Sequence, residues 1–150
     1  MKTGVFDGDY PVKGAKKYYS GGSGLSSTLH DYFVFCQAIL NGGEYNGVRI
    51  LQDSTVTLMT SDQIGDLRWA INSTFGYGWR INREKNAVGG VGEIFDLGWG
   101  GAFSTWFTIN PKDKVIEIVA TQVLFNPFEN ELTYGSDNLI KKSIIQKKPN

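Results

Sequence analysis

The stretch 96–105 holds the residue types and spacing that best suit contact with a ligand. It places three glycines, Gly98, Gly100 and Gly101, around a single tryptophan, Trp99. Glycine weakens the interior of a strand, and it often marks a bulge or a place where another group must approach the backbone closely. The stretch is therefore predicted to be a strand whose first part lacks large side chains so that a ligand can approach its backbone. The alternative is a bulge beside a hairpin.

The other reactive side chains do not form a complete catalytic set. His30 is the only histidine and Cys36 the only cysteine. They are six residues apart on one helix, a net rotation of roughly 240° about the helix axis, so their side chains point in different directions, which excludes a Cys–His dyad. His30 is predicted to lie on a helix surface. Glu93 and Asp96 are three apart on a predicted strand and point to opposite faces. With so few ligands, neither a metal site nor a cofactor is predicted.

The composition indicates one folded domain without a polyanionic partner. The chain has 150 residues, of which 41% are hydrophobic and 20% charged, and its formal net charge is zero. That size allows one domain with its own core. A zero net charge gives no basis for binding nucleic acid or a membrane surface. Neither a signal peptide nor a transmembrane segment is expected from the apolar runs, and the compartment stays open.

The first predicted helix is the clearest element. It starts at Ser27 or Thr28, because Thr28 and Asp31 have the spacing of a capping box. It ends at residues 41–43, an Asn-Gly-Gly sequence that tolerates positive φ. Apolar residues in steps of three and four form one stripe that is predicted to face the core. The stripe consists of Leu29, Tyr32, Phe33, Cys36, Ile39 and Leu40.

Two more helices and a tight turn are predicted. Asn46 and Gly47 form a tight-turn signal. A second helix, capped by Asp53 or Ser54, is predicted to run to about residue 60. A final amphipathic helix is predicted over about 135–146. Its inward-facing side chains are predicted to be Leu139, Ile140, Ile144 and Ile145.

Four strands are predicted between the second and the final helix. The run 75–81 alternates large side chains with Gly76 and Gly78, so its bare face suits a helix or another backbone lying against it. The remaining strands are predicted over 91–97, 103–109 and 115–123, with a hairpin loop at 110–114 and a central position for 115–120. Helices, an antiparallel meander and a helix in this order predict an α+β fold, an antiparallel sheet flanked by helices.

Five short motifs follow one another in an order that resembles a known family. They are residues 21–32 (GGSGLSSTLHDY), 41–51, 54–60, 75–79 and 99–101. Together they are similar to serine hydrolases related to class C β-lactamases, a family that includes penicillin-binding proteins, D-aminopeptidases and β-lactamase-fold esterases.

This resemblance implies a fold and a domain organisation. The chain would be the C-terminal part of a serine β-lactamase-like (DD-peptidase) fold, one partial domain over residues 1–150. Within it, 1–19 would be an irregular lead-in, 20–125 the family-like region, and 126–150 a loop and C-terminal helix.

The resemblance also implies a site. Trp99, Gly100 and Gly101 would be the third catalytic motif, at the edge of the active-site cleft. The backbone N–H of Ala102 would be one of two oxyanion-hole donors. Trp99 would replace the cation that holds a carboxylate in other members, which favours ester- or amide-like substrates over β-lactams.

Two elements of the family pattern are missing from the sequence. The family nucleophile is the serine of Ser-x-x-Lys, and the second motif is Tyr-x-Asn or Ser-x-Asn. No serine in the chain has a lysine three residues later, and no tyrosine has an asparagine two residues later. The chain is therefore expected to be inactive alone, with losses of order 10⁶ in rate. The absent N-terminal part of the domain is the expected partner.

The resemblance predicts acyl transfer or hydrolysis of ester, amide or β-lactam bonds by the complete domain, acting on a small ester, amide or peptide-like substrate. Neither nucleic acid nor a metal has a predicted role. A homodimer through an exposed sheet edge is a further expectation. The alternative is a non-catalytic module for peptidoglycan or sugar. Its groove would consist of the aromatic residues Trp69, Tyr77, Trp79, Trp99 and Trp106.

Overall fold

The computed structural model describes residues 9, 13, 17, 19–22, 24–67, 72–85 and 91–147. Its elements, in chain order, are α1 (Leu29–Leu40), β1 (Glu44–Tyr45), β2 (Val48–Arg49), α2 (Asp53–Met59), β3 (Ser73–Phe75), β4 (Arg80–Lys85), β5 (Val91–Gly101), β6 (Thr105–Asn110), β7 (Val115–Val119) and α3 (Glu129–Lys147). β1 and β2 pair with each other, and the other five strands form one antiparallel sheet in the order β3-β4-β5-β6-β7. The predicted α+β class is confirmed.

Helix α1 begins and ends where its sequence predicts. Thr28 is the N-cap, and its Oγ1 accepts a hydrogen bond from the Asp31 N–H at 3.1 Å. The Thr28 hydroxyl also donates to the Asp31 carboxylate at 2.9 Å, so a hydrogen bond between the two side chains adds to the N-cap. Gly42 and Gly43 have φ of 74° and 98°, and the Gly43 N–H bonds Ala38 O at 2.7 Å, which terminates the helix.

The core lies between α1 and one face of the five-stranded sheet. Its buried side chains are Cys36, Ile39, Val56, Trp79, Ile81, Leu97, Phe107 and Ile109. The predicted stripe of α1 is correct only toward the C-terminal end of the helix. Leu29 is 56% exposed and Phe33 is 36% exposed, because the described sheet covers the helix only from about Tyr32 onward, where Tyr32 packs edge-on against Phe107 at 5.1 Å.

The segment between α1 and β3 follows the prediction except at one cap. Asn46 and Gly47 both have positive φ, 49° and 77°, and form the predicted tight turn between β1 and β2. The predicted cap at Asp53 or Ser54 is wrong, since Gln52 is the N-cap of α2 and makes no side-chain capping bond. The Asp53 side chain points to Gly42 at the end of α1, where a Cβ would collide with Asp53 Oδ1.

The prediction of one strand over 75–81 is wrong. β3 ends at Phe75 and β4 begins at Arg80, and these two residues pair across a turn. Gly78 has φ of 90°, which an extended strand does not allow, and the Gly76 N–H bonds Trp79 O at 3.0 Å to close the turn. The bare side of Gly76 does meet another backbone, because a Cβ there would collide with the carbonyl oxygen at the end of α2.

The last strands are shorter than predicted, and β7 is not central. Phe103 lies in the turn before β6 rather than in the strand. β7 stops at Val119, and residues 121–123 then approach the turn that contains Phe103. Among the described strands β7 is an edge strand, so the predicted central position is wrong. Apolar composition did not distinguish the two positions, because the half-buried residues of this edge strand are as apolar as those of a central one.

The final helix begins earlier than predicted. α3 starts at Glu129, six residues before the predicted start at Gly135, which the helix tolerates within its interior. Leu139 is 67% exposed, so its predicted inward position is wrong, while Ile140 is half-buried. The side chains of Ile144 and Ile145 lie outside the described part of the chain. No helix in the described ranges combines the length and apolarity needed to cross a membrane.

Candidate functional site

The Trp-Gly-Gly sequence is the regular end of strand β5. Residues 97–101 pair one by one with residues 105–109 of β6, and no register shift interrupts them. No bulge therefore interrupts residues 97–101, although Ser104, in the three-residue loop that follows, has the positive φ of a hairpin bulge. Irregular register does occur on the other side of β5, where β4 pairs with it beyond Asn82. The strand thus delivers Trp99, Gly100 and Gly101 to the end of the sheet in extended geometry.

The three glycines of this strand end lie on two faces. Trp99 and Gly101 share the face that packs on α1, because they pair with Phe107 and Thr105 on β6. Gly98 and Gly100 lie on the opposite face. There a Cβ on Gly98 would collide with the Phe107 carbonyl oxygen, and one on Gly100 would lie 3.2 Å from the Trp106 ring. The space beside these two glycines is therefore filled by atoms of the neighbouring strand β6.

The opposite face carries a set of charged and polar contacts. The Arg80 guanidinium lies 4.5 Å from the centre of the Trp106 ring, and its Nη2 is 3.7 Å from Asp96 Oδ1. Asn82 donates to the same Asp96 oxygen at 2.9 Å. Asp96 is therefore engaged in contacts between neighbouring strands, on the face away from Trp99. The side chain of Glu93 lies outside the described residues.

Trp99 belongs to a small aromatic surface at the end of the sheet. Its side chain is 42% exposed and meets the ring of Phe75 edge-on, with ring centroids 5.3 Å apart. Tyr77, in the turn between β3 and β4, is 53% exposed. We call the contacting pair Phe75 and Trp99, together with the exposed Tyr77 two residues after Phe75, the aromatic corner. It presents ring surface to solvent beside the candidate third motif.

The wider aromatic groove of the alternative prediction does not form. Trp79 is 3% exposed, stacked on Phe35 at 5.9 Å, because its ring fills the core beneath α1. Its predicted exposure is wrong. Trp106 is half-buried beneath Arg80, on the face opposite Trp99. Trp69 lies outside the described residues.

Ala102 follows β5 directly and is exposed in the turn to β6. The Ser104 N–H closes that turn on Gly101 O at 3.0 Å. Ser104 itself is 1% exposed with φ of 56°, and its hydroxyl donates to Val123 O at 3.0 Å. In the turn that bears Ala102, the buried residue Ser104 is therefore held by hydrogen bonds, while Ala102 itself is exposed to solvent.

The remaining reactive side chains lie away from this corner. His30 is on the exposed surface of α1, as predicted. Cys36 is fully buried, and burial raises its pKa to about 11, so the thiol stays protonated at neutral pH. No group of three or more His, Cys, Asp or Glu side chains suited to a metal occurs in the described ranges.

One match to the Ser-x-Asn pattern was missed in the sequence. Ser136, Asp137 and Asn138 have this spacing, but they lie within α3. The Ser136 hydroxyl donates to the helix carbonyls of Leu132 and Thr133, both at 3.0 Å. A serine bonded back to its own helix is a common structural feature, which accounts for this match without a catalytic role.

A small apolar cavity of about 110 Å³ lies elsewhere in the molecule. It is lined by Ile39, Leu40, Val56, Thr60, Leu97, Ile109 and Pro111. These side chains include no titratable group, and neither Ala102 nor any residue of the aromatic corner is among them. The cavity is therefore separate from the aromatic corner and from Ala102.

Comparison with known proteins gives partial matches. No family model matches the chain. Over 103 residues it is 33% identical to proteins named "Putative D-alanyl-D-alanine carboxypeptidase" from Salmonella paratyphi B and Salmonella newport, covering 65% of this chain and 22% of each relative. The chain thus spans only about a fifth of their length. A solved "putative beta-lactamase" from Bacteroides dorei is 20% identical with a TM-score of 0.46, covering 73% of this chain and 39% of that one. The sequence relatives confirm the predicted resemblance.

Proposed function

We propose that this chain, which resembles the β-lactamase-related serine hydrolases, is the C-terminal part of such a hydrolase domain and carries its third catalytic motif. The observation that carries the proposal is the end of β5. Trp99 is partly exposed there on a regular strand. Ala102 follows in an exposed turn, and a hydrogen bond from the Ser104 N–H to Gly101 O closes that turn. A backbone donor held in this way is what an oxyanion hole requires.

In this role the chain stabilises charge and orients the substrate. When a serine attacks an ester, amide or β-lactam carbonyl, the carbonyl oxygen gains negative charge. The Ala102 N–H donates one of two hydrogen bonds to that oxygen, and the loss of one such donor costs about 10²–10³ in kcat in a characterised serine protease. The serine nucleophile and its lysine base come from residues outside these 150, since no Ser-x-x-Lys occurs among them.

The aromatic corner bears on the choice of substrate. By the resemblance, Trp99 takes the position at which the family carries a cation, and its described ring neighbour, Phe75, is also uncharged. The rings of Phe75, Tyr77 and Trp99 carry no charge, so they themselves supply no attraction for a substrate carboxylate. Neutral ester or amide substrates are therefore preferred over β-lactams. The name of the Salmonella relatives, which refers to D-alanyl-D-alanine, adds short peptides to the substrates to be tried.

The alternative function, a module that binds peptidoglycan or sugar without catalysis, is favoured by the exposure of Tyr77 and Trp99. Exposed aromatic rings commonly supply the contact area of such surfaces. The burial of Trp79 and the half-burial of Trp106 remove these two rings from the predicted groove.

A fluorophosphonate probe followed by intact-mass measurement tests the proposal. The chain alone is expected to show no adduct. The same chain co-expressed with an N-terminal hydrolase segment chosen because it carries Ser-x-x-Lys is expected to show one adduct, on the serine of the added part. The control replaces that serine by alanine.

A stoichiometric adduct on the chain alone would mean that its nucleophile lies within these residues. No adduct in the co-expressed protein, together with retention of the chain on peptidoglycan that Trp99→Ala abolishes, would favour the binding module.

A further inference from the structure

The turn between β5 and β6 is held by the segment that leaves β7. Thr121 Oγ1 lies 2.5 Å from Phe103 O and 3.1 Å from Ser104 O, so its single hydrogen serves one or both of these carbonyls. The Val123 N–H donates to Phe103 O at 3.3 Å, and the Ser104 hydroxyl donates back to Val123 O at 3.0 Å. We call these contacts the turn clamp.

Ser104 is the residue through which the clamp acts. Its φ of 56° lies in the left-handed region, which the last residue of a three-residue hairpin loop commonly adopts and which serine adopts less readily than glycine. It is buried, its side chain is bonded to Val123, and its carbonyl faces the Thr121 hydroxyl. These contacts hold one conformation of the turn.

The direction of the Ala102 N–H follows from that conformation. The Ser104 N–H bonds Gly101 O at 3.0 Å. Gly101 O and the Ala102 N–H belong to one planar, trans peptide group, so they point in opposite directions. Once Gly101 O is held toward the inside of the turn, the Ala102 N–H must point away from it.

We infer that Thr121 and Ser104 are positioning residues for the Ala102 N–H, acting through Gly101 O. The catalytic meaning of this inference rests on the proposed function. The clamp contacts themselves can be measured in the chain alone.

Amide hydrogen exchange of the isolated chain tests the clamp. Thr121→Val keeps the shape of the side chain and removes the hydroxyl. The amides of Ser104 and Val123 are expected to exchange about fivefold faster in this variant, while the Ile109 amide in β6 keeps its rate. Thr121→Ser is expected to restore slow exchange. Thr57→Val, the same change at an exposed position of α2, is the control.

Unchanged exchange at Ser104 and Val123 in Thr121→Val would overturn the clamp. Faster exchange by the same factor at Ile109 would also overturn it, because it would indicate a general loss of stability.

Kinetics of the co-expressed protein test the positioning role. Thr121→Val is expected to lower kcat about tenfold with KM unchanged, since a misdirected donor weakens binding of the transition state more than that of the substrate. Thr121→Ser is expected to recover the rate. If kcat is unchanged although the turn amides exchange faster, positioning is overturned. A wild-type protein without activity overturns the proposed function and the catalytic role, and the exchange result then describes a purely structural clamp.

Discussion

Residues 75–79 and 97–101 share a pattern and differ in structure. The first reads Phe-Gly-Tyr-Gly-Trp and the second Leu-Gly-Trp-Gly-Gly, so both alternate large side chains with glycine. Yet 75–79 ends β3 and turns into β4, while 97–101 is the straight end of β5. An alternation of period two shows which positions lack a side chain. It does not show whether the backbone is extended.

The difference arises from what each segment bonds to. In the first, the Tyr77 N–H donates to Met59 O at 2.9 Å, at the end of α2, and Gly78 adopts φ of 90°. In the second, the strand β6 lies alongside and pairs with every residue. Glycine allows both outcomes, and the neighbouring element selects one.

The tryptophans of the two segments should differ most. Trp79→Ala is expected to destabilise the chain by about 3–5 kcal/mol, because it removes a buried ring that stacks on Phe35. Trp99→Ala is expected to cost about 1 kcal/mol, since its ring is 42% exposed. Urea unfolding measures both, with Trp79→Phe as the variant that keeps an aromatic ring in the core. Equal losses for the two alanine variants would contradict the division into a core and a surface tryptophan.

The glycines of the β5 segment should differ from each other. Gly98→Ala is expected to cost about 2–3 kcal/mol, because the new Cβ would collide with the backbone oxygen of Phe107. Gly100→Ala is expected to cost about 1 kcal/mol or less, because the Trp106 ring at 3.2 Å can shift slightly. Thermal unfolding of the two variants makes the comparison. A larger loss for Gly100→Ala would argue against the register of β5 on β6.

Substitution of Gly78 tests whether residues 75–79 form a turn, in contrast to the extended strand β5. Gly78→Ala is expected to cost about 1–2 kcal/mol from backbone strain alone, because its φ is 90° and no atom lies within 4 Å of the new Cβ. Gly78→Asn should cost less, since asparagine tolerates positive φ better. If residues 75–79 were an extended strand, Gly78→Ala would instead stabilise the chain.

The two segments also meet in a contact between two aromatic rings, and the loss of this contact should have a small effect. Phe75 and Trp99 pack edge-on at 5.3 Å. A double-mutant cycle of Phe75→Ala and Trp99→Ala, read by urea unfolding, is expected to give a coupling of about 1 kcal/mol. Additive losses would show that the two rings do not support each other. Phe35→Ala with Trp99→Ala is a matched control pair, for which additivity is expected.

Features set by neighbouring residues were predictable. The cap at Thr28, the glycine end of α1 and the turn at Asn46 and Gly47 depend on hydrogen bonds and φ preferences within a few residues, and all three were correct. The start of α3 was missed by six residues, because weakly patterned polar residues such as Glu129 and Asn130 can begin a helix or extend a loop.

The candidate site was predictable in part. Glycine around Trp99 marked the stretch, and the order of motifs related it to a family. The clamp on Ser104 could not be read in advance, because Thr121 lies 17 residues further along the chain and nothing local ties the two together. The exposure of Leu29 in an otherwise correct helix stripe had the same cause, since burial depends on what covers a face.

The sequence by itself determined the α+β class, the ends of α1, the tight turn of the first hairpin and the order of motifs, because each depends on short-range preferences or on pattern. Only the tertiary structure decided that one glycine-rich segment turns and the other pairs, that Trp79 is buried and Trp99 exposed, and that β7 lies at the edge of the described sheet. These outcomes depend on hydrogen bonds and packing between residues far apart in the chain, and a period-two pattern is compatible with each of them.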